Sequence, residues 1–215
     1  EKILPPRSCL QGGGFVVQYT MVNFGEVTSV GYREEIAACG AAERENWQVF
    51  DCVDSTNLLC KRQAMDGAAD GFAAIADRQT AGRGRLGRSF HSPAHTGLYM
   101  TVAYTTREPL TEAVRVTALA AVAAVSAIEA LTDKHPAIKW VNDIYLHDAK
   151  IGGILTEAVT LPDGSTRMIV GLGINLTTTA FPEGLRAPAS CLFPPEEAHL
   201  ATSDLADRLA GEITR

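Results

Sequence analysis

The sequence lacks any pair of cysteines with the spacing of a zinc site or a redox motif. Its five cysteines are Cys9, Cys39, Cys52, Cys60 and Cys191, and no two of them are separated by only two residues. An odd number of scattered cysteines argues against a disulfide framework and against a structural zinc site. We therefore expect the protein to work in a reducing compartment, the cytoplasm.

Long hydrophobic runs are missing as well. The longest uncharged apolar stretch, residues 116–128, is shorter than the ~20 residues that a membrane-spanning helix needs. The first residues lack the apolar segment of a signal peptide, and the chain begins with Glu1 rather than methionine. We expect no membrane partner, and we expect the chain to be a processed product or a fragment.

An excess of positive charge is also absent. Lys and Arg number 19 against 25 Asp and Glu, which gives a net charge of -6. Such a chain is a poor general ligand for nucleic acid or for an anionic membrane. With 215 residues, 46% of them hydrophobic, it can instead bury the core of one domain. Any local cluster of arginines is notable against this acidic background.

The sequence divides into two parts at about residue 46. Residues 1–46 contain the glycine triplet 12–14, a candidate strand at 15–19 and a candidate short helix at 33–42. The triplet could cradle a phosphate, but it is more typical of a flexible turn. Residues 47–215 carry sharper patterns and are expected to form the functional domain.

The second part combines many short strands with few helices. Strands are predicted at 48–53, 72–77, 97–105, 137–141, 144–146, 150–160 and 166–175, and helices at about 54–65, 109–131 and 204–214. The helix at 109–131 is apolar nearly all round and is predicted to be central and buried. Ser203 is predicted to cap the last helix. Because strands and helices do not alternate regularly, the fold class is α+β with a mixed or antiparallel sheet.

The most unusual segment is residues 82–88, which read Gly-Arg-Gly-Arg-Leu-Gly-Arg. Four arginines and no acid lie between residues 78 and 88. Guanidinium groups bind carboxylate and phosphate oxygens in pairs, and glycines let the backbone approach a ligand. On composition alone, a small-anion site, a solvated basic loop and an RNA contact stay open.

Three further segments combine polar residues with strand patterns. In residues 139–143, strand alternation would place the odd-numbered side chains on one face and the even-numbered ones on the other, with an Asx-turn as the alternative. Residues 150–157 and 171–175 place glycines inside strands. Such glycines indicate close approach of a ligand or of another backbone, or a bulge.

Together these segments resemble the biotin–protein ligase family. The matching motifs, in order, are Asp-Ser-Thr-Asn at 54–57, Gln79 followed by Gly-Arg-Gly-Arg-x-Gly-Arg at 82–88, Lys-Trp-x-Asn-Asp at 139–143, Lys-x-Gly-Gly-Ile-Leu-x-Glu at 150–157 and Gly-x-Gly-Ile-Asn at 171–175. Chance is a poor explanation for five motifs in the family's order. The resemblance implies the catalytic-domain fold of biotin and lipoate ligases, which is similar to that of class II aminoacyl-tRNA synthetases.

Members of this family condense biotin with ATP to biotinyl-5′-AMP and pyrophosphate. They then transfer the biotinyl group to one lysine of a biotin carboxyl carrier domain. The resemblance therefore implies a biotin–[acetyl-CoA-carboxylase] ligase that uses ATP and Mg²⁺ and that has a carrier domain as its partner. It leaves a homodimer open.

The resemblance also implies the residues of the site. The biotin site would comprise Ser55, Thr56, Asn57, Gln79, Gly82, Arg83, Gly84, Arg85, Lys150 and Gly153. The ATP site would comprise Arg85, Arg88, Phe90, Lys139, Asn142 and Asn175, with Asp143 facing Mg²⁺. Arg83, Arg85 and Lys150 would be catalytic, because their charges offset the repulsion between carboxylate and phosphate. Trp140 and Phe90 would supply apolar walls.

The chain departs from the family's pattern in several places. It ends at a predicted helix, whereas bacterial members continue into a small β-barrel domain, so we expect that domain to be absent. Residues 1–46 lack the basic recognition helix of a winged helix-turn-helix, so we do not expect binding to DNA. Phe90 and Val141 stand where many relatives have Trp and Pro.

Two other functional classes stay open. Lipoate ligases and octanoyltransferases have a related fold and an arginine-rich segment that runs into a glycine triplet. Here Arg7 precedes the triplet at 12–14, but far ahead of the proper place. A nucleic-acid-binding module would use the Arg/Gly segment, and the acidic net charge argues against it.

Overall fold

The structure is a computed structural model that describes residues 46–106, 113–201 and 204–214. Within these ranges the strands are β1 (Trp47–Val53), β2 (Phe72–Gln79), β3 (Gly97–Thr106), β4 (Ala137–Lys139), β5 (Asp143–Leu146), β6 (Ala149–Thr160) and β7 (Thr166–Asn175). The helices are α1 (Thr56–Met65), α2 (Ala113–Leu131) and α3 (Leu205–Ile213), with 3-10 turns at Arg85–Gly87 and Pro195–Leu200.

The strands form one seven-stranded sheet in the order β1-β2-β3-β7-β6-β5-β4. The β1–β2 pair is parallel, and all other neighbours are antiparallel. The strands predicted at 150–160 and 166–175 form a hairpin, in which β6 and β7 pair from Thr160 and Thr166 at the turn to Gly152 and Ile174. The α+β class with a mixed sheet is confirmed.

Hydrophobic residues are buried on both faces of the sheet. One face packs against α2 and α3; its buried side chains include Ile75, Leu98, Met100, Ile144, Ile154 and Leu209. The other face packs against α1 in a smaller cluster that comprises Cys60, Ala64, Phe72, Ala74, Ala103 and Ile169. Because α1 lies across β2, β3 and β7, its first turn is brought to the middle of the sheet.

The long apolar helix α2 is less buried than its composition predicts. Leu119 is 67% exposed, and Val114 and Val122 are each 51% exposed. The prediction of a helix buried all round was therefore wrong, since only one face packs on the sheet and on α3. Length and composition alone would also allow this helix to span a membrane, although such a signal is equally typical of a core helix.

Local differences from the predicted elements occur at three places. The predicted strand 137–141 ends at Lys139, and the chain turns through residues 140–142 before β5 begins, so the predicted strand alternation was wrong there. The last helix begins at Leu205, and Ser203 lies outside the described residues. The start of the helix predicted from residue 109 and the elements predicted within residues 1–45 lie outside them too.

Candidate active site

A cleft beside the first turn of α1 brings together segments that are far apart in the sequence. Its lining residues are Thr56, Asn57, Gln79, Arg83, Gly84, Arg85, Phe90, Asn142, Lys150, Gly153, Ile154, Leu155, Gly171, Leu172 and Gly173. The neutral cluster consists of the polar side chains of Thr56, Asn57 and Gln79, from α1 and β2. The cationic cluster consists of Arg83 and Arg85, from the Arg/Gly segment, and Lys150, from β6. The two clusters differ in what they can bind.

The N-terminus of α1 carries a buried hydroxyl. Ser55 is the N-cap residue, with extended backbone dihedrals, but its side chain makes no capping bond. Instead the Asp54 carboxylate accepts the Ser55 N–H at 2.7 Å, and Arg62 binds both oxygens of Asp54 at 2.7 and 2.9 Å. The hydrogen bond from Arg62 outweighs partial burial and lowers the pKa of Asp54. The Ser55 Oγ is buried and finds no partner among the described residues, so it keeps an unused hydrogen-bonding capacity one residue before Thr56.

The next side chains form a hydrogen-bonded network. The Thr56 N–H donates to Gln79 Oε1 at 2.9 Å, and Gln79 Nε2 donates to the Ser92 hydroxyl at 2.8 Å. The Thr101 hydroxyl lies 2.8 Å from the Thr56 hydroxyl and 2.7 Å from Asn57 Oδ1. These contacts hold Thr56 and Gln79 in one geometry beside the cleft, as a site for a neutral polar ligand group requires.

Asn57 lies across three adjacent strands. Its Nδ2 donates to the Leu155 carbonyl at 3.1 Å and to Glu157 Oε2 at 2.9 Å. Gly171 pairs with Leu155 in the sheet, and a Cβ added to Gly171 would lie 1.8 Å from Asn57 Oδ1. The glycine in this strand is therefore explained by a side chain that crosses it, where the sequence indicated a ligand, a backbone or a bulge.

The Arg/Gly segment forms a short hairpin over the cleft. Arg83 pairs with Ser89 as an isolated bridge, and the Gly84 N–H donates to the Arg88 carbonyl at 2.7 Å. At the tip, Leu86 adopts a φ of 58°, in the left-handed region, and its side chain is 84% exposed. Gly82 has no room for a side chain, because an added Cβ would lie 2.4 Å from the carbonyl oxygen of Phe90.

The two arginines nearest the cleft have different partners. Arg83 Nη2 lies 3.6 Å from Glu157 Oε1, so an acid partly neutralises its charge. Arg85 Nη1 instead donates to the neutral Asn142 Oδ1 at 2.7 Å. Arg85 therefore keeps more of its charge for an anionic ligand than Arg83 does.

The cationic cluster is completed by Lys150 at the start of β6. Lys150 Nζ donates to Asp143 Oδ1 at 2.6 Å, and Asn142 Nδ2 donates to the same oxygen at 3.0 Å. Both side chains of this ion pair are about 30% exposed, so a ligand can reach them. Gly153 leaves space for this lysine, since a Cβ there would lie 3.2 Å from Lys150 Nζ.

A second cleft of about 400 Å³ adjoins the first and shares Phe90 and Lys150 with it. Its other lining residues are Arg88, Ser89, His91, Lys139, Asp143, Tyr145, Asn175, Phe181, Leu185, Arg186, Ala187 and Ala189. Asn175 Oδ1 is buried without a partner among the described residues, while its Nδ2 donates to the Ser190 carbonyl at 3.0 Å. Basic and aromatic walls of this kind suit a nucleotide.

The structure brings most of the predicted site residues to these two clefts. Ser55 is buried and Gly82 packs against Phe90 and Ser92, and neither of them lines a cleft. Trp140 is 77% exposed and lines neither cleft, so its prediction as an apolar wall was wrong.

Sequence reasoning missed two kinds of residue at the site. Thr101 and Ser92 belong to the network behind the neutral cluster, and Phe181 and Arg186 belong to the second cleft. Each stands alone outside a glycine-rich motif, so no local pattern in the sequence marks it.

Comparisons with known proteins place the chain in a family. The model of the Biotin/lipoate A/B protein ligase family matches residues 49–175, more than half of the 215 residues. The chain is 38% identical over 144 residues to the bifunctional ligase/repressor BirA of Bacillus subtilis, which covers 66% of this chain and 44% of that protein. It is 30% identical over 189 residues to the biotin–[acetyl-CoA-carboxylase] ligase of Mycobacterium tuberculosis, covering 84% of this chain and 67% of that protein.

A solved structure agrees with these matches. The biotin protein ligase of Aquifex aeolicus in complex with biotin and ATP matches with a TM-score of 0.57 at 29% identity, over 79% of this chain and 71% of that one. The chain therefore belongs to the biotin/lipoate A/B protein ligase family, and the resemblance predicted from the five motifs is confirmed. It spans 44% of the length of the Bacillus subtilis relative.

Proposed function

We propose that the protein is an ATP-dependent biotin–protein ligase that forms biotinyl-5′-AMP and transfers biotin to a lysine of a carrier domain. The observation that carries this proposal is the pairing of a neutral polar cluster with a cationic cluster in one cleft. Biotin has the matching polarity, because it carries a neutral ureido ring at one end and a carboxylate at the other.

The neutral cluster favours biotin over other acids of similar length. Ser55 presents an unpaired buried hydroxyl, and Thr56 and Gln79 are held rigidly beside it. The dithiolane ring of lipoate and the alkyl chain of octanoate offer no polar partner, so they would leave the Ser55 hydroxyl buried and unpaired, at a cost of about 1–3 kcal/mol. This cost supports the biotin assignment over the lipoate alternative.

The cationic cluster suits the first chemical step. In this step a carboxylate oxygen of biotin attacks the α-phosphorus of ATP, the bond to the β-phosphate breaks, and pyrophosphate leaves. Arg85 and Lys150 would contact the oxygens of both anions, offset their repulsion and stabilise the charge that develops at the α-phosphorus. Arg83, already paired with Glu157, would contribute less charge and would mainly position the hairpin.

The second cleft would hold the nucleotide. Arg88, Lys139 and Arg186 would bind phosphate oxygens, and the aromatic side chains of Phe90, Tyr145 and Phe181 would cover the base. Lys139 Nζ already lies 4.7 Å above the centre of the Tyr145 ring. Asn175 Oδ1, buried and unpaired among the described residues, can accept a hydrogen bond from the adenylate.

Mg²⁺ would enter with ATP. Asp143 is a single carboxylate already bound to Lys150 and Asn142, and the described residues contain no group of three metal-binding side chains. This donor set fits an ion held chiefly by phosphates and water, with Asp143 as one further ligand. When bound, the ion would neutralise phosphate charge.

In the second step the amine of the acceptor lysine attacks the carbonyl carbon of the adenylate, and AMP leaves. The acceptor lysine has to enter the cleft between the hairpin and the turn at 140–142. The hydrogen bond from Arg85 to Asn142 joins these two segments. The proposal includes a biotin carboxyl carrier domain as the acceptor and the cytoplasm as the location. It includes no role in DNA binding, and it leaves a homodimer open.

Biotin-dependent exchange of labelled pyrophosphate into ATP tests the first step directly. We expect exchange with biotin and none with lipoate or octanoate, and we expect mass spectrometry to find one biotin on an added carrier domain. Exchange with lipoate or octanoate but not with biotin would assign the protein to the alternative activity.

A further inference from the structure

We infer that Glu157 is a positioning residue that sets the direction of a hydrogen-bonded chain and so makes the Thr56 hydroxyl an acceptor toward the cleft. The inference rests on the proposed function for its choice of ligand. Glu157 lies on β6 and lines neither cleft, so it would act on the ligand only through other residues.

The chain begins at the Glu157 carboxylate. Asn57 Nδ2 contacts Glu157 Oε2 at 2.9 Å and the Leu155 carbonyl oxygen at 3.1 Å. Both oxygens can only accept, so the amide must turn its nitrogen toward them and its oxygen toward Thr101. The Glu157 carboxylate and the Leu155 carbonyl together thus determine the orientation of the Asn57 amide.

Glu157 is an ionised acceptor near neutral pH. Burial acts to raise the pKa of Glu157, but the hydrogen bonds from Lys61 and Asn57 and the charges of Lys61 and Arg83 outweigh it. The pKa therefore lies below its ordinary value. An ionised carboxylate has no proton to donate, so Glu157 can only accept the hydrogen bond from Asn57.

The next two links follow from counting protons. Thr101 has one hydroxyl proton and lies 2.7 Å from Asn57 Oδ1, which can only accept, so the proton lies on that bond. The 2.8 Å contact between the Thr101 and Thr56 hydroxyls then requires the proton of Thr56. The alternative acceptor for Thr56, Gln79 Oε1 at 3.2 Å, would use the same proton. Toward the cleft, Thr56 can therefore offer only lone pairs.

This polarity has a consequence for recognition. The unpaired Ser55 hydroxyl can donate, and the adjacent Thr56 hydroxyl accepts. A neighbouring donor and acceptor are complementary to an N–H beside a C=O, the arrangement in a ureido ring. If the chain were reversed, Thr56 would accept from Thr101, and its proton would be free to turn toward Gln79 Oε1 at 3.2 Å or toward the ligand N–H, where a repulsive contact would replace the hydrogen bond.

Glu157→Gln tests the inference, because it keeps the size of the side chain and changes its polarity. Lys61 and Arg83 lie at 2.6 and 3.6 Å from Oε1, so the new amide would turn its oxygen toward these cations and its NH₂ toward Asn57. We expect the dissociation constant of biotin, measured by calorimetry on the whole chain without nucleotide, to rise about tenfold. The control Lys61→Met removes the cation bound to Glu157 Oε1 but leaves the bond from Asn57 to Oε2 in place, so it should change the dissociation constant less than about twofold.

The effect of Glu157→Gln in the absence of the Thr56 hydroxyl distinguishes the positioning role of Glu157 from a structural one. In a Thr56→Val background the acceptor is gone, so Glu157→Gln should weaken biotin binding less than about threefold. The same tenfold effect in both backgrounds, or an equal effect of Lys61→Met, would overturn the inference. If Glu157→Gln fails to fold, the isosteric Thr101→Val breaks the same chain, and wild-type biotin affinity in that variant would overturn it. A wild-type chain that binds no biotin would instead refute the proposed function.

Discussion

Gly171→Ala should disrupt the centre of the proposed biotin site through a single methyl group. The added Cβ would lie 1.8 Å from Asn57 Oδ1, and the shortfall against the 3.4 Å at which ordinary contact begins is about 1.6 Å. The backbone of Gly171 cannot retreat, because it pairs with Thr101 of β3 on one side and Leu155 of β6 on the other. Asn57 must therefore move.

The contacts that Asn57 would lose determine how much this displacement lowers the free energy of unfolding. Its amide makes hydrogen bonds to Leu155, Glu157 and Thr101, all of them part-buried or buried. Overpacking together with unpaired buried groups should lower the free energy of unfolding by about 2–4 kcal/mol. For a domain of this size, that corresponds to a fall in Tm of roughly 5–15 °C. Biotin affinity should fall as well, because Thr56 loses the network that orients it.

Thermal unfolding and calorimetric titration with biotin measure the two effects on the same sample. Gly211→Ala is the matched control, since an added Cβ there meets nothing within 4 Å and alanine favours the helix. The control should keep or raise the Tm and leave biotin affinity unchanged. A Gly171→Ala variant with wild-type Tm and affinity would refute the argument that Asn57 requires the glycine.

Lys150→Ala should lower biotin-dependent pyrophosphate exchange at least about 100-fold. Its cost in unfolding free energy should stay below about 1 kcal/mol, because the ion pair with Asp143 is partly exposed; near wild-type exchange would make Lys150 a structural residue. Arg85→Gly should release the adenylate faster and so label surface lysines of added proteins, and a complete loss of adenylate synthesis would instead place Arg85 in the first chemical step. Hydrogen exchange of residues 80–90 should be fast in the free protein and slow with biotin and ATP; equal protection would show a rigid hairpin. Since the pKa of Glu157 is lowered on folding, its stabilising contribution is present above the ordinary value of 4.5 and is lost as the pH falls through the lower folded pKa. Glu157→Gln should therefore lose stability less steeply in acid, and parallel pH curves would contradict this.

Much of the fold follows from local patterns. The predicted strand at 166–175 matches β7, and the predicted strand at 150–160 matches β6 within one residue, because strand periodicity and a Pro-Asp-Gly turn are local signals. The long helix shows where such signals fail. Alanine and valine fill all sides of α2, but only one side faces the sheet, so composition could not identify its exposed residues.

The sequence motifs pointed to many of the residues that line the two clefts, since the glycine-rich and arginine-rich motifs are compact and come in a fixed order. Their pairings depend on tertiary structure. Arg83 faces Glu157 and Arg85 faces Asn142, although the two arginines are neighbours in one motif. Only the order of β3, β7 and β6 in the sheet brings Thr101 and Glu157 to the same asparagine. Local periodicity reports which face a side chain occupies, whereas a hydrogen bond between residues 100 positions apart depends on how the whole chain packs.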